Sequence, residues 1–416
     1  MTATTLLVVP RSMPMMGDLL LMSQGVQPAC QCAGRPTRGG AHRRLSVRRG
    51  RRERLPFWQR GVRPTILAPM HAPSAAAPMP GHLRDALRAV APSLAVVRAL
   101  GATLDAVPPI QKKDGSPVTA ADYAVQAVVV AGLRAAAGDR RVPLLGEESA
   151  DGLASSGRPD AVRAVVDAVR AALGWMDEAA ILALIDGDEP RSGDPHWTID
   201  PIDGTRGFVL GAQCSVCLAR IEGRDVTLAV MGCPRMGPTG DVGVHAQGPG
   251  VLYAAVRGGG AFECDATGRV LRSMRVEPWR GPGIRWARSL NRGGSLAVGR
   301  TEPLVRAIGP IDETRMDSQC KYALVARGDA DLVVRTPRAP GALEQVWDHA
   351  TGALLASEAG AEASDACGQP LDFGHGALLA ANVGVLVAAR GLHERAVRAL
   401  APSLHGPTRP TEAGAR

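Results

Sequence analysis

The stretch richest in chemistry is residues 197–208, W-T-I-D-P-I-D-G-T-R-G-F. A β-prone lead of Trp197, Thr198 and Ile199 runs into Asp200, Pro201 turns the chain, and a second acid follows at Asp203. A strand that ends at an acid and turns through proline can aim two carboxylates at one point. Hard divalent cations such as Mg²⁺ take oxygen ligands and are often held by carboxylates together with a phosphate. Gly204 lets backbone approach a ligand closely. A helix starting at Thr205 would offer free N–H groups to a phosphate. Asp-Pro and Asp-Gly are also ordinary turn punctuation, so the weight falls on what else the chain brings.

Further acids lie far apart in sequence. In K-K-D-G-S-P-V-T-A-A-D-Y-A-V-Q (residues 112–126), Gly115, Ser116 and Pro117 make a turn and Thr119 is a helix N-cap with Asp122 three residues on. That is capping-box spacing, so Asp122 has a structural role available to it. In R-V-P-L-L-G-E-E-S (residues 141–149), a short strand ends at Glu147 and Glu148: a solvated strand end, or one part of a split carboxylate site. In Q-V-W-D-H-A-T-G (residues 345–352), Asp348 opens a helix, where the dipole favours an acid, and His349 reads as structural. Ser318, Lys321 and Arg335 are a hydroxyl, a point cation and a forked cation, suited to anions. Singly, each is also a common surface residue.

W-T-I-D-P-I-D-G-T resembles the signature of the lithium-sensitive, magnesium-dependent phosphatases typified by inositol monophosphatase. R-G-F (residues 206–208) and D-S-Q-C-K-Y (residues 317–322) are more similar to the 3′(2′),5′-bisphosphate nucleotidase branch. Five motifs stand in family order between residues 112 and 376. The resemblance implies two or three Mg²⁺ ions on Glu147, Asp200, Asp203, Asp348 and the backbone carbonyl of Ile202, activating a water and drawing charge from the leaving oxygen. It implies that Thr205, paired with Asp122, orients that water. Gly204 and Thr205 would seat the reacting phosphate beside Asp348, while Ser318, Lys321 and Arg335 hold the nucleotide's phosphates. The implied reaction removes the 3′-phosphate of adenosine 3′,5′-bisphosphate, with the 5′-phosphosulfate analogue as a further substrate. An inositol phosphate phosphatase and a non-catalytic nucleotide sensor are the alternatives. One departure is visible: after Arg288-Ser289 the branch carries a histidine near the nucleotide, and here Leu290-Asn291 follows.

The elements that must position these residues are legible as periodicities. Leu83, Leu87, Val90, Leu94, Val97 and Leu100 recur at helical spacing across a break at Pro92. A helix runs from Thr119 past Leu133. Residues 151–194 start with a Gly/Ser-rich loop, then predict two helices (161–173 and 177–185), a longer connection than the simplest family members have. After Phe208 the pattern turns to β, with hairpins over 213–221/225–233 and 251–256/260–263. From Ser273 strands and helices alternate: a helix from about Lys321, a strand reaching Arg335, a helix from Asp348 to Gly360, a strand at 377–380 and a helix at 386–400. The expected fold is α+β followed by α/β, a layered αβαβα sugar-phosphatase-like arrangement with two sheets between helices. The expected domains are 81–272, with most metal ligands, and 273–408, with substrate-binding residues, before a loose end after 401 and a tail at 409–416.

Composition sets the limits. The chain has 416 residues, 45% hydrophobic and 21% charged, with aromatics at only 3%, so its core is built from small aliphatic side chains. The formal charge of +8 misleads. Residues 1–80 hold twelve arginines against Asp18 and Glu53, a net +10 that leaves the rest at −2. The body is therefore not read as a nucleic-acid binder. The arm is Arg-rich and acid-poor, the composition of an organelle transit peptide, or else an overlong start with translation beginning at Met70 or Met79. The first implies chloroplast or mitochondrion, the second the cytoplasm. Of the eight cysteines, Cys30 and Cys32 lie in the arm. Cys214 and Cys217 are three apart in a β-type run and so face opposite sides, as core thiols. No apolar run reaches membrane-spanning length. The expected partner is a small phosphorylated nucleotide, with neither nucleic acid nor membrane, and the chain a monomer or homodimer.

Overall fold

The computed structural model describes residues 80–138, 140–238, 243–290, 302–337 and 341–404. The basic arm, Asn291 and the expected tail at 409–416 lie outside them. Two helices, α1 (Gly81–Val90) and α2 (Ser93–Gly101), meet at the break before Ser93 that Pro92 imposes. A two-residue hairpin, β1 (Ile110–Gln111) and β2 (Pro117–Val118), leads into α3 (Ala120–Ala136). Then come β3 (Leu144–Gly146), α4 (Ala150–Ser155), α5 (Pro159–Leu173) and α6 (Glu178–Asp186). β4 (His196–Asp203) and the short α7 (Thr205–Val209) carry the central motif. They are followed by β5 (Ser215–Glu222), β6 (Asp225–Cys233), β7 (Val251–Val256), β8 (Gly260–Asp265) and β9 (Val270–Met274).

The remaining elements are β10 (Ile284–Arg288), α8 (Glu302–Ile308), β11 (Ile311–Arg315), α9 (Cys320–Arg327), β12 (Leu332–Arg335), α10 (Ala350–Glu358), β13 (Glu362–Ser364), β14 (Val385–Ala388) and α11 (His393–Leu404). Strands β3 to β9 form one sheet in sequence order, antiparallel except for the parallel β3–β4 pair. The second sheet has the order β11-β10-β12-β14-β13, with β10 parallel to β11 and β12.

Side-chain alternation along the strands explains the layering. Leu218 faces a core shared with α1, α3, α5 and α6, while its neighbours Cys217 and Ala219 face a second core. That second core holds α9 and α10 and the inward side chains Val333, Val385 and Val387 of the other sheet. Leu332, Val334, Leu386 and Ala388 turn outward onto α8 and α11. The order is helix, sheet, helix, sheet, helix, the expected αβαβα arrangement. Cys214 and Cys217 fall in opposite cores, both thiols free. Among the described residues no helix is long and apolar enough to cross a membrane.

The C-terminal assignment needs correction. Residues 386–388, expected to open a helix, belong to β14, and the helix begins only at His393 and runs past 401 to Leu404. Residues 377–380 give a single bridge, Gln345 to Leu378. β14 is covered on both faces and paired on both edges, so it reads as a continuous apolar run that periodicity cannot distinguish from helix. Helix α4 stands where a Gly/Ser-rich loop was expected, and Ser149 caps it by accepting from the Gly152 N–H.

Candidate active site

In a regular strand, residues 200 and 203 would face opposite sides of the sheet. Here β4 pairs with β5 through Asp200 and Cys217, then slips, so that Asp203 pairs with Ser215. Three steps on β4 oppose two on β5. The extra residue is a bulge, and it re-aims Asp203 to the side where Asp200 points. Gly204 then turns the chain at φ +87, and a Cβ there would lie 2.9 Å from the Cβ of Ser318. Both the left-handed backbone and the close approach exclude a side chain.

The carboxylates of Asp200, Asp203 and Asp348 approach within 4.8 Å of one another. They come from β4 and from the turn before α10, which starts at Ala350, two residues later than expected. Glu147, just past β3, completes the wall. Its side chain accepts from Lys112 Nζ at 2.9 Å, and Lys112 also reaches Glu148. The three aspartates are all raised above the usual carboxylate range. Burial, then the charges of Glu147, Asp203 and Asp348, push Asp200 well up. Burial raises Asp203 to about 6 despite the opposing Lys321 charge. Burial also raises Asp348 to about 6, against His349. Asp200 is 2% exposed and its Oδ1 has no hydrogen-bond partner among the described residues. A buried, unpartnered carboxylate oxygen amid like charges is what a hard cation would satisfy, and the all-oxygen donor set fits Mg²⁺.

Ser318, Lys321 and Arg335 line the same cavity as the acids, of about 410 Å³. Ser318 adopts φ +68, unusual for a residue with a side chain. Lys321 Nζ donates to the Ser318 carbonyl at 2.6 Å, and Arg335 Nε donates to Glu344 Oε2 at 3.1 Å. The Gln319 N–H donates to Asp203, tying the two walls together.

Asp122 sits beneath the cavity floor, 1% exposed. It is the capping acid that the spacing predicts: Oδ2 accepts from the Thr119 N–H at 2.8 Å and from the Thr119 hydroxyl at 2.7 Å. Its other oxygen lies 3.3 Å from Thr205 Oγ1, which is also 2.9 Å from the Ile202 carbonyl. The capping acid therefore also presents an oxygen to the Thr205 hydroxyl. Burial and the Glu148 charge push Asp122 well up, a proton-accepting tendency an exposed aspartate lacks.

The profile of the inositol monophosphatase family matches residues 84–405. The chain belongs to this family. Among curated members it is 34% identical to the 3′(2′),5′-bisphosphate nucleotidase of Schizosaccharomyces pombe over 306 residues, covering 70% of this chain and 86% of that one. It is 33% identical to the enzyme of the same name from Emericella nidulans, covering 70% and 89%. Of solved family structures, the Thermotoga maritima IMPase superposes with TM-score 0.53 at 19% identity, covering 78% of this chain and 98% of that one, and supports the fold. The family is metal-dependent, and the acidic cluster described above offers the groups such a centre needs.

All of the residues singled out from the sequence converge. Glu147, Asp200, Ile202, Asp203, Gly204, Thr205, Ser318, Lys321, Arg335 and Asp348 line one cavity, with Asp122 behind Thr205. The sequence reading passed over Arg206, which also lines the cavity and whose side chain has no partner among the described residues. It lay in the quoted motif, and its charge was the available signal. Lys112, Glu344 and Tyr322 were also passed over. Their partners are 5 to 36 residues away, and no local pattern announces such pairings.

Proposed function

We propose that this chain is a Mg²⁺-dependent phosphatase that removes the 3′-phosphate of adenosine 3′,5′-bisphosphate, with the 5′-phosphosulfate analogue as a further substrate. The observation that carries the reading is one cavity lined both by a carboxylate cluster, in which the buried Asp200 Oδ1 has no partner among the described residues, and by groups suited to anions. The nucleotidase names of the curated relatives support the choice of substrate. Glu147, Asp200, Asp203, Asp348 and the Ile202 carbonyl would hold two or three Mg²⁺, which supply charge neutralisation at the phosphoryl group and a more acidic water.

The chain's own residues do the rest. The reacting phosphate rests against the backbone of Gly204 and Thr205. Thr205 Oγ1 accepts a hydrogen bond from the attacking water and passes a proton toward Asp122 Oδ1. Ser318, Lys321 and Arg335 hold the remaining phosphate, which an inositol monophosphate lacks. Two charged anchors on one substrate fix the reacting group in line.

The test is phosphate release from adenosine 3′,5′-bisphosphate, adenosine 3′-monophosphate and inositol phosphates, with and without Mg²⁺ and Li⁺. Magnesium-dependent, lithium-inhibited release with the bisphosphate preferred is the expected result. A preference for inositol phosphates would reassign the substrate, and tight nucleotide binding without release would make the chain a sensor.

A further inference from the structure

Arg335 is backed by a chain of buried side chains, Glu344, His349 and Tyr322, that the mechanism above does not use. Its Nε donates to Glu344 Oε2 at 3.1 Å, and its two terminal amines have no partner among the described residues. Glu344, 7% exposed, also faces His349 Nε2 at 3.4 Å. The His349 Nδ1 lies 2.7 Å from the Tyr322 hydroxyl, and the two rings meet edge-on. A carboxylate only accepts, so Nε2 is the protonated nitrogen facing Glu344. Burial pushes the Tyr322 hydroxyl up, so it keeps its proton and donates to Nδ1. Tyr322 directly follows Lys321 in α9, and His349 directly follows Asp348, so the chain spans the elements that surround the anion side.

Glu344, Asp348 and His349 also come close enough to suggest a cation site. A guanidinium already sits on Glu344, and its charge takes the place a cation would fill. The geometry instead favours alignment. With Nε engaged by Glu344, the two terminal amines of Arg335, a residue that lines the cavity, are left as a fork, the arrangement that grips a phosphate through two bonds.

We propose that Glu344, His349 and Tyr322 are positioning residues that hold Arg335 toward the substrate's second, non-reacting phosphate and so set the preference for a bisphosphorylated over a monophosphorylated substrate. This rests on the nucleotidase reading.

The test is steady-state phosphate release by the full chain in saturating Mg²⁺, from adenosine 3′,5′-bisphosphate and from adenosine 3′-monophosphate. Glu344→Gln should raise KM for the bisphosphate about tenfold, the scale of one lost charge-assisted hydrogen bond, with kcat nearly unchanged. Both constants for the monophosphate should stay near wild type. Tyr322→Phe keeps the ring and loses one hydroxyl, and should show the same split more weakly. Combined with Glu344→Gln it should add little, because both act through Arg335. Equal losses on both substrates would show general structural support and overturn the proposal. So would an unchanged KM, or a KM that falls, as expected if Glu344 merely cancels charge. If Glu344→Gln does not fold, Tyr322→Phe decides by the same criteria. A wild-type chain indifferent to the second phosphate would sink the nucleotidase reading itself, a failure seen before any variant is made.

Discussion

The two walls of the cavity are built on opposite plans. On the acid wall, like charges crowd together, Asp200 Oδ1 has no partner among the described residues, and burial pushes three aspartates upward. On the cation wall three charges are already engaged: Lys321 on a carbonyl, Arg335 through its Nε on Glu344, and Glu344 on His349. Burial drives Glu344 up, yet its hydrogen bond from His349 and the charge of Arg335 win and hold it down at about 2. One wall is incomplete until a cation arrives, and the other is organised beforehand. The difference teaches that catalytic potential resides where the fold is least satisfied, and recognition where it is most satisfied.

Removing one charge from the acid wall is the most severe way to break this contrast. Asp203→Asn should cut turnover by about 10³-fold or more, the scale of losing a principal electrostatic stabiliser. The same change relieves repulsion, so the metal-free variant should melt above the metal-free wild type. Near-normal turnover in this variant would contradict the assignment.

On the other wall, Gly352 lies against Tyr322. A Cβ there would come within 2.3 Å of the Tyr322 ring, and the Gly352 N–H donates to Oε1 of Gln319, the residue before α9, at 2.9 Å. Gly352→Ala should cost about 1–3 kcal/mol as overpacking. Chemical denaturation measures that cost. A variant as stable as wild type would show that the anion wall is looser than its contacts imply.

The smallest effect sharpens the contrast through pH. An unfolded aspartate titrates at ~3.9, whereas Asp203 and Asp348 are raised to about 6 in the folded chain. The folded state thus binds these protons more tightly. Their contribution to stability is whole below the unfolded value and is lost as pH rises through about 6. In a chelator, Tm should be lower at pH 8 than at pH 5, and Mg²⁺ should abolish the difference. Thermal melts at the two pH values, each with and without Mg²⁺, measure it, and equal melting in chelator would refute the stored repulsion.

What could be read in the sequence follows the range of the interaction. Thr119 and Asp122 are three residues apart, and their capping box forms as the spacing predicts. Asp200 and Asp203 share one strand, so their convergence needed only a local bulge. That Glu147 and Asp348 join them was legible through motif resemblance alone, since no spacing rule links residues so distant. β14 was misread because burial on both faces erases the alternation that marks a strand. The Tyr322–His349–Glu344–Arg335 chain was invisible because its members become neighbours only when β12, α9 and the turn before α10 pack.

The Gln319 amide that donates to Asp203 has a thermodynamic consequence. It makes one carboxylate a member of both walls, so a cation that draws on Asp203 also sets the turn from Ser318 to Lys321. Linkage then demands reciprocity: whatever affinity the ion lends the nucleotide, the nucleotide must lend the ion. Ion titrations with and without bound nucleotide should therefore trace two sides of a single closed cycle.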